Sequence, residues 1–174
     1  LAILEASALT AVRTAAASVV ATQALARADA RVLAIIGTGE EAHAHLEAFQ
    51  AVRPFEHVIV WGRNADKARS LAARADALGV RKVSVASTVR EAAAQADVVC
   101  TVTSSPGPLL SGDDLRPGQH LCLVGSSIPQ TREVDDDVVV RSRYYVDYRG
   151  SARAQAGELL HAIEAGRVTD AHIV

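Results

Sequence analysis

The chain has 174 residues, 49% of them apolar and 22% charged, with a formal net charge of -2. That length is enough for one ordinary domain with a real core, and the balance is that of a globular protein, not a disordered one. Aromatic residues are only 3% and the arginines are scattered, so the clustered basic surface with interleaved aromatics that nucleic-acid binding needs is not written here.

The longest weakly polar run, residues 14–26, is interrupted by Ser18, Thr22 and Gln23, so no bilayer span and no membrane partner are expected. No signal peptide is visible, and the expected location is cytoplasmic. A chain that starts at Leu1 is expected to be a piece of a longer protein.

In chain order, residues 9–28 read as a helix, with Thr10 placed to cap it and Val12, Ala16, Val19 and Val20 recurring on one face. Val32–Ile36 is a short continuous apolar run ended by Gly37, the pattern of a buried parallel strand. A helix follows over Glu40–Val52, a strand over His57–Trp61 and a helix over residues 65–78. Then come a strand at Lys82–Val85, a helix at Val89–Gln95, and strands over residues 97–102 and 119–124. The last unit is a short helix at Asp136–Arg141, a strand over 143–147 and a helix over 151–165. Strands separated by helices of this length call for right-handed crossovers and a parallel sheet covered on both faces. The expected fold class is therefore α/β, a doubly wound Rossmann-type domain over residues 31–174, preceded by a leading helix in residues 1–30.

The stretch IIGTGEEAHAHLEA follows the first strand and opens the next helix. Its GxGxxA spacing matches the dinucleotide fingerprint: Gly37 for the tight turn, Gly39 for the approach of a pyrophosphate, Ala42 for close packing of helix on strand. Free amides of Thr38, Gly39, Glu40 and Glu41 and the positive helix end would face the phosphates. The second strand ends VWGRN, with Gly62 where an NAD site usually carries an acid, followed by Arg63, Asn64 and Lys67. A guanidinium there can fork onto a ribose phosphate and stack on adenine, so NADP(H) is the preferred cofactor and NAD(H) remains possible.

The loops after the fourth and fifth strands should flank the rest of the site. They place Val102, Thr103, Ser104 and Ser105 on one side and Val124, Gly125, Ser126 and Ser127 on the other, residues that suit a wall beside nicotinamide and are also ordinary loop residues. Arg13, in the first turn of the leading helix, opposes the macrodipole; it could grip a substrate carboxylate or a cofactor phosphate, or stay solvated. Thr14 beside it is counted with the cofactor residues. The acids Asp135, Asp136 and Asp137 read as solvated capping charge. Cys100 and Cys122 read as reduced, packed thiols, and His43 and His45 point to different helix faces, so no metal site is expected.

The motifs LTAVRTAAAS, IIGTGEEAHAHLEAF, ADVVCTVTSSPGPLL, LCLVGSSIPQTREVD and YYVDYRGSARAQAGELLHAI together resemble the ornithine cyclodeaminase/mu-crystallin family, most closely its mu-crystallin-like ketimine reductase branch. The resemblance implies a larger two-domain protein whose other segments build the substrate pocket and a homodimer interface. It implies that Arg13 contacts substrate carboxylate near the cofactor and that Val124 and Gly125 lie beside nicotinamide. Cyclodeaminases of the family carry aspartate in G-A-D-x-P, where this chain reads GSSIP, with Ser127 in the aspartate's place. A serine hydroxyl has no charge and is a poor base without an activating partner, so the resemblance points away from ornithine deamination. The expected function is an NADP-dependent reductase of a small cyclic imino acid or an amino-acid dehydrogenase, with its proton donor unassigned. The alternatives are an NAD-dependent ornithine cyclodeaminase and a non-enzymatic NADPH- and ligand-binding protein.

Overall fold

The computed structural model describes residues 6–174, so the first five residues of the expected leading segment lie outside the described residues. The leading helix, α1, spans Ser7–Leu25. Thr10 does not cap it. Its N–H instead donates to Ala6 O at 2.8 Å, an internal rung of the helix, and the cap residue Ala6 makes no side-chain bond. Arg13 therefore falls in the second turn, where the field of the free N–H groups has faded, and the expected cost of a cation there does not apply.

Of the expected face of α1 only Val19 is buried. It faces inward with Ala11, Ala15, Ser18 and Thr22, whereas Val12, Ala16 and Val20 are exposed. Small side chains let α1 lie close along its neighbour, which outweighs burial of the larger valines. By length and apolar composition α1 could cross a bilayer, against the expectation from its interrupted run, but its Ser18 and Thr22 face is packed inside this fold.

Five parallel strands form one sheet: β1 (Val32–Ile36), β2 (His57–Trp61), β3 (Lys82–Val85), β4 (Val98–Thr101) and β5 (His120–Leu123), in the order β3-β2-β1-β4-β5. The register aligns Ile36 with both Trp61 and Thr101, so the strands finish level at their carboxyl ends. Helices α2 (Glu40–Val52) and α3 (Ala65–Ala77) cover one face together with α1. Helices α4 (Val89–Gln95), α5 (Asp136–Arg141), α6 (Arg149–Gln155) and α7 (Gly157–Glu164) belong to the other side. Alternation along β1 sends Leu33 and Ile35 to the first core and Ala34 and Ile36 to the second, which is why the strand reads as unbroken apolar sequence. Leu33, Ile35 and Ile36 have no exposed surface, and each such burial contributes roughly 1.5–3 kcal/mol.

Two expectations near the C-terminus are corrected. Residues 143–147 do not join the sheet; Tyr144 instead bridges Ile173, with Val174 N donating to Tyr144 O at 2.9 Å. Their alternating apolar pattern fits the extended, half-buried backbone seen there but does not name a partner strand. The single helix expected over 151–165 is two, broken at Ala156, whose ψ is 91°. At the break Gly157 N donates to Ser126 Oγ at 3.1 Å, and only glycine fits there, since a Cβ would lie 1.9 Å from Thr131 O.

The cysteines are free and buried, as expected of packed thiols, and are register partners on β4 and β5. Contact with Cys122, followed by burial, pushes the Cys100 thiol well above its ordinary range.

Candidate functional site

The strand order reverses between β1 and β4, and at the carboxyl ends of β1, β4 and β5 an open cleft of about 1730 Å³ runs beneath α1. Such a switch point is where open α/β sheets hold ligands. The loop from β1 to α2 forms its floor. Gly37 has φ 134°, and a Cβ there would lie 2.6 Å from Val102 O, so only glycine allows the chain to turn this closely past β4. Its N–H donates to Trp61 O at 2.9 Å, which ties the turn to the end of β2. Gly39 differs, since a Cβ on it would meet nothing within 4 Å. Its bare backbone faces open space at the N-terminal end of α2, the setting a diphosphate requires.

Ala42 does not reach the cleft. It is fully buried in the core between α2 and the sheet, the packing role of the third small residue. Glu40 and Glu41 line the cleft from the first turn of α2. Burial pushes the Glu41 carboxyl up, with His45 and Arg13 acting the other way and Glu40 adding to the rise. An acid there competes with an anionic ligand for the helix end, so what this turn offers a phosphate is its N–H groups.

At the end of β2, Gly62 is pressed against the phosphate loop: a Cβ would lie 2.4 Å from Thr38 Cγ2. The acid expected at an NAD site is therefore missing and also sterically disfavoured. Arg63 and Lys67 beside it are exposed, line the cleft and, among the described residues, enter no ion pair. Asn64 is committed elsewhere. Its Oδ1 accepts from Asp66 N at 2.9 Å and Lys67 N at 3.0 Å, capping α3.

The far wall comes from the loops after β4 and β5, with Val102, Thr103 and Ser104 facing Val124, Gly125, Ser126 and the exposed Ser127. Their polar groups are largely spoken for. Thr103 N and Oγ1 donate to Glu133 Oε1 at 2.6 and 2.7 Å, and Gly125 N donates to Glu133 Oε2 at 2.7 Å. Ser126 Oγ donates to Thr131 O at 2.6 Å and accepts from Gly157 N at 3.1 Å. Glu133, wholly buried, and Glu158, 2% exposed, are what reasoning from sequence missed. Glu158 Oε1 accepts from Glu133 N at 3.0 Å, and burial pushes its carboxyl up. The only local hint was a single acid in extended TREVD, and it was masked by the acids that follow.

Those acids are not merely solvated. Asp135 caps α5 by accepting from Val138 N at 3.0 Å, whereas Asp136 pairs with Arg132 and His161, and Asp137 with Arg167. On the opposite side Arg13 and Thr14 bring α1 to the mouth of the cleft. His45, expected not to bind metal, is fully buried, with Nε2 3.0 Å from Ser18 Oγ and Nδ1 2.7 Å from Glu41 O, which locks α1 onto α2. Among the described residues no cluster of His, Cys, Asp or Glu has the makings of a metal site.

The model of the ornithine cyclodeaminase/mu-crystallin family matches residues 1–173. The chain belongs to that family. It is 38% identical over 160 residues to the ketimine reductase mu-crystallin of Mus musculus, covering 92% of this chain and 50% of the relative. In three dimensions it resembles the Delta(1)-pyrroline-2-carboxylate reductase of Thermococcus litoralis, solved in complex with NADH and L-proline. The TM-score is 0.91 at 31% identity over 99% of this chain and 54% of that one. The iminosuccinate reductase of Paracoccus denitrificans, solved with NAD+, gives a TM-score of 0.90 at 33% identity, covering 97% and 51%. The chain thus spans about half the length of the relatives it matches.

Proposed function

We propose that this chain is the cofactor-binding part of an NADP-preferring reductase of small cyclic imino acids. The observation that carries the preference is the end of β2, where Arg63 and Lys67, cations without an ion pair among the described residues, follow a Gly62 whose Cβ would press on the Thr38 methyl at 2.4 Å, in the place of the acid an NAD site uses. The bend at Gly37 and the bare backbone of Gly39 fit a diphosphate, and the relatives act on imino acids or bind NADH and proline.

A bound NADPH would supply the hydride that reduces the C=N bond of the substrate, with a proton going to the imine nitrogen. This chain's residues do the positioning. Arg63 and Lys67 would hold the ribose phosphate and the turn from Gly37 to Glu41 the diphosphate, with Thr103 and Gly125 lining the nicotinamide end. Arg13, at the cleft mouth, would hold the substrate carboxylate. Ser127 lines the same end. A hydroxyl in that place suits reduction, in which no side-chain amine has to be directed at an imine. The family resemblance implies a homodimer of the full-length protein, and the scattered arginines and low aromatic content fit a protein without a nucleic-acid partner; a cytoplasmic location without a membrane partner is part of the same proposal.

The test is a comparison of NADPH and NADH affinities for the full-length protein and its Arg63→Ala variant. Loss of one charge-assisted phosphate contact is expected to weaken NADPH about tenfold and leave NADH nearly unchanged. An unaltered preference would remove the cofactor assignment. Failure to oxidise NADPH with pyrroline-2-carboxylate or piperideine-2-carboxylate would remove the reductase.

A further inference from the structure

We propose that Glu133 is a positioning residue that builds the nicotinamide half of the crevice, so that its carboxylate decides how the far end of the dinucleotide is held; this rests on the cofactor reading above. The loops after β4 and β5 are separated by a whole crossover in sequence, yet they meet on one side chain. Glu133 Oε1 takes both donors of Thr103, and Oε2 takes the N–H of Gly125. No part of Glu133 is exposed, and among the described residues it enters no ion pair. Burying a carboxylate without a cation is costly unless donors replace its water, and these three bonds, at 2.6 to 2.7 Å, are those donors.

Gly125 shows how tightly the loops are drawn together. A Cβ there would lie 2.0 Å from Thr103 O and 2.5 Å from Glu133 Cδ. Glu133 is itself held from behind, since its N–H donates to Glu158 Oε1 at 3.0 Å, and Glu158 starts α7. A chain of contacts therefore runs from α7 through Glu158 and Glu133 to Thr103 and Gly125. Among the described residues it makes no bond to Arg63, Lys67 or Gly39, the residues assigned above to the ribose phosphate and the diphosphate. Glu133 touches neither end of the ligand directly; it acts through the wall it joins.

Because the Glu133 carboxylate bonds only the loops after β4 and β5, its effect on the two halves of the crevice can be probed separately. In full-length protein, calorimetric titration with NADPH is compared with titration by adenosine 2′,5′-bisphosphate, which carries the adenosine phosphates but no nicotinamide. In Glu133→Gln the new amide sets an N–H against a backbone donor, and NADPH affinity is expected to fall about tenfold while the bisphosphate changes less than about twofold. Should Glu133→Gln fail to fold, Thr103→Val removes only one of the three bonds in a nearly isosteric side chain. It is expected to show a smaller loss with the same selectivity for NADPH. Wild-type protein that binds both probes, with variants that weaken both equally or neither, would overturn the proposal for Glu133 alone. Wild-type protein that binds neither would overturn it together with the cofactor reading.

Discussion

Thr38 and Gly62 touch across the floor of the cleft so closely that a Cβ on Gly62 would lie 2.4 Å from Thr38 Cγ2. The phosphate loop and the end of β2 are thereby one fitted surface. An acid introduced by Gly62→Asp, the obvious way to favour NAD, is expected to weaken both NADPH and NADH by displacing the loop. The double variant Gly62→Asp with Thr38→Ala clears the clash and is expected to bind NADH better than Gly62→Asp alone. Parallel titrations with both cofactors check this, and a single variant that simply switches preference would contradict it.

Gly37 combines φ 134° with a Cβ position 2.6 Å from Val102 O. Gly37→Ala is expected to destabilise the fold by about 2–3 kcal/mol through backbone strain and to abolish dinucleotide binding. Urea unfolding measures the first and calorimetry the second. A variant of unchanged stability would mean that the turn relaxes without cost.

The hold of α1 on α2 runs through His45, fully buried between Ser18 Oγ and Glu41 O. His45→Ala leaves a cavity and strands the Ser18 hydroxyl, for about 2–4 kcal/mol. Hydrogen exchange should then show amides of α1 losing protection before those of β1 and β4. Uniform loss across the chain would show that α1 is not separately tethered by this contact.

Asp97 caps the start of β1 from the start of β4. Its Oδ2 accepts from Arg31 N and Val32 N at 2.8 and 3.1 Å, and its Oδ1 accepts from Arg27 at 2.8 Å. Burial acts to raise this carboxyl, but the backbone bonds and the Arg27 and Arg116 guanidinium groups hold it below its ordinary range. A lowered folded value means that the native state binds the proton less readily than the unfolded chain. The stabilisation is therefore complete above the ordinary carboxylate range and fades as pH falls through the lowered value. Asp97→Ala is expected to cost about 1–3 kcal/mol at pH 7, with the gap to wild type closing in acid. Unfolding midpoints between pH 7 and pH 2 test the sign. A gap that widens in acid would refute it.

What could be read in advance follows what local sequence encodes. The limits of β1 and β2 were legible because burial on two faces leaves continuous apolar runs, and the starts of α2 and α4 because Gly39 and Thr88 stand at their caps. The phosphate loop was legible because its backbone geometry admits glycine alone at position 37. Glu133 was not, because an acid buried by partners 30 and 8 residues away leaves no periodic trace. The break before Gly157 had a weak local signal in the glycine itself, but its partner, Ser126 Oγ accepting from Gly157 N, lies 31 residues away. The face of α1 was misread because apolar periodicity assumes that the largest side chains go inward, and here close packing selected the small ones.

Cys100 and Cys122 lie side by side on β4 and the edge strand β5, and the chain has no other cysteine. Cys122 borders the cleft, whereas Cys100 has no exposed surface, so an alkylating reagent can reach Cys100 only when the strands part. The rate at which Cys100 is modified therefore clocks the opening of the fold itself, and a nucleotide that grips the cleft across β4 and β5 should slow that clock in proportion to how firmly it holds.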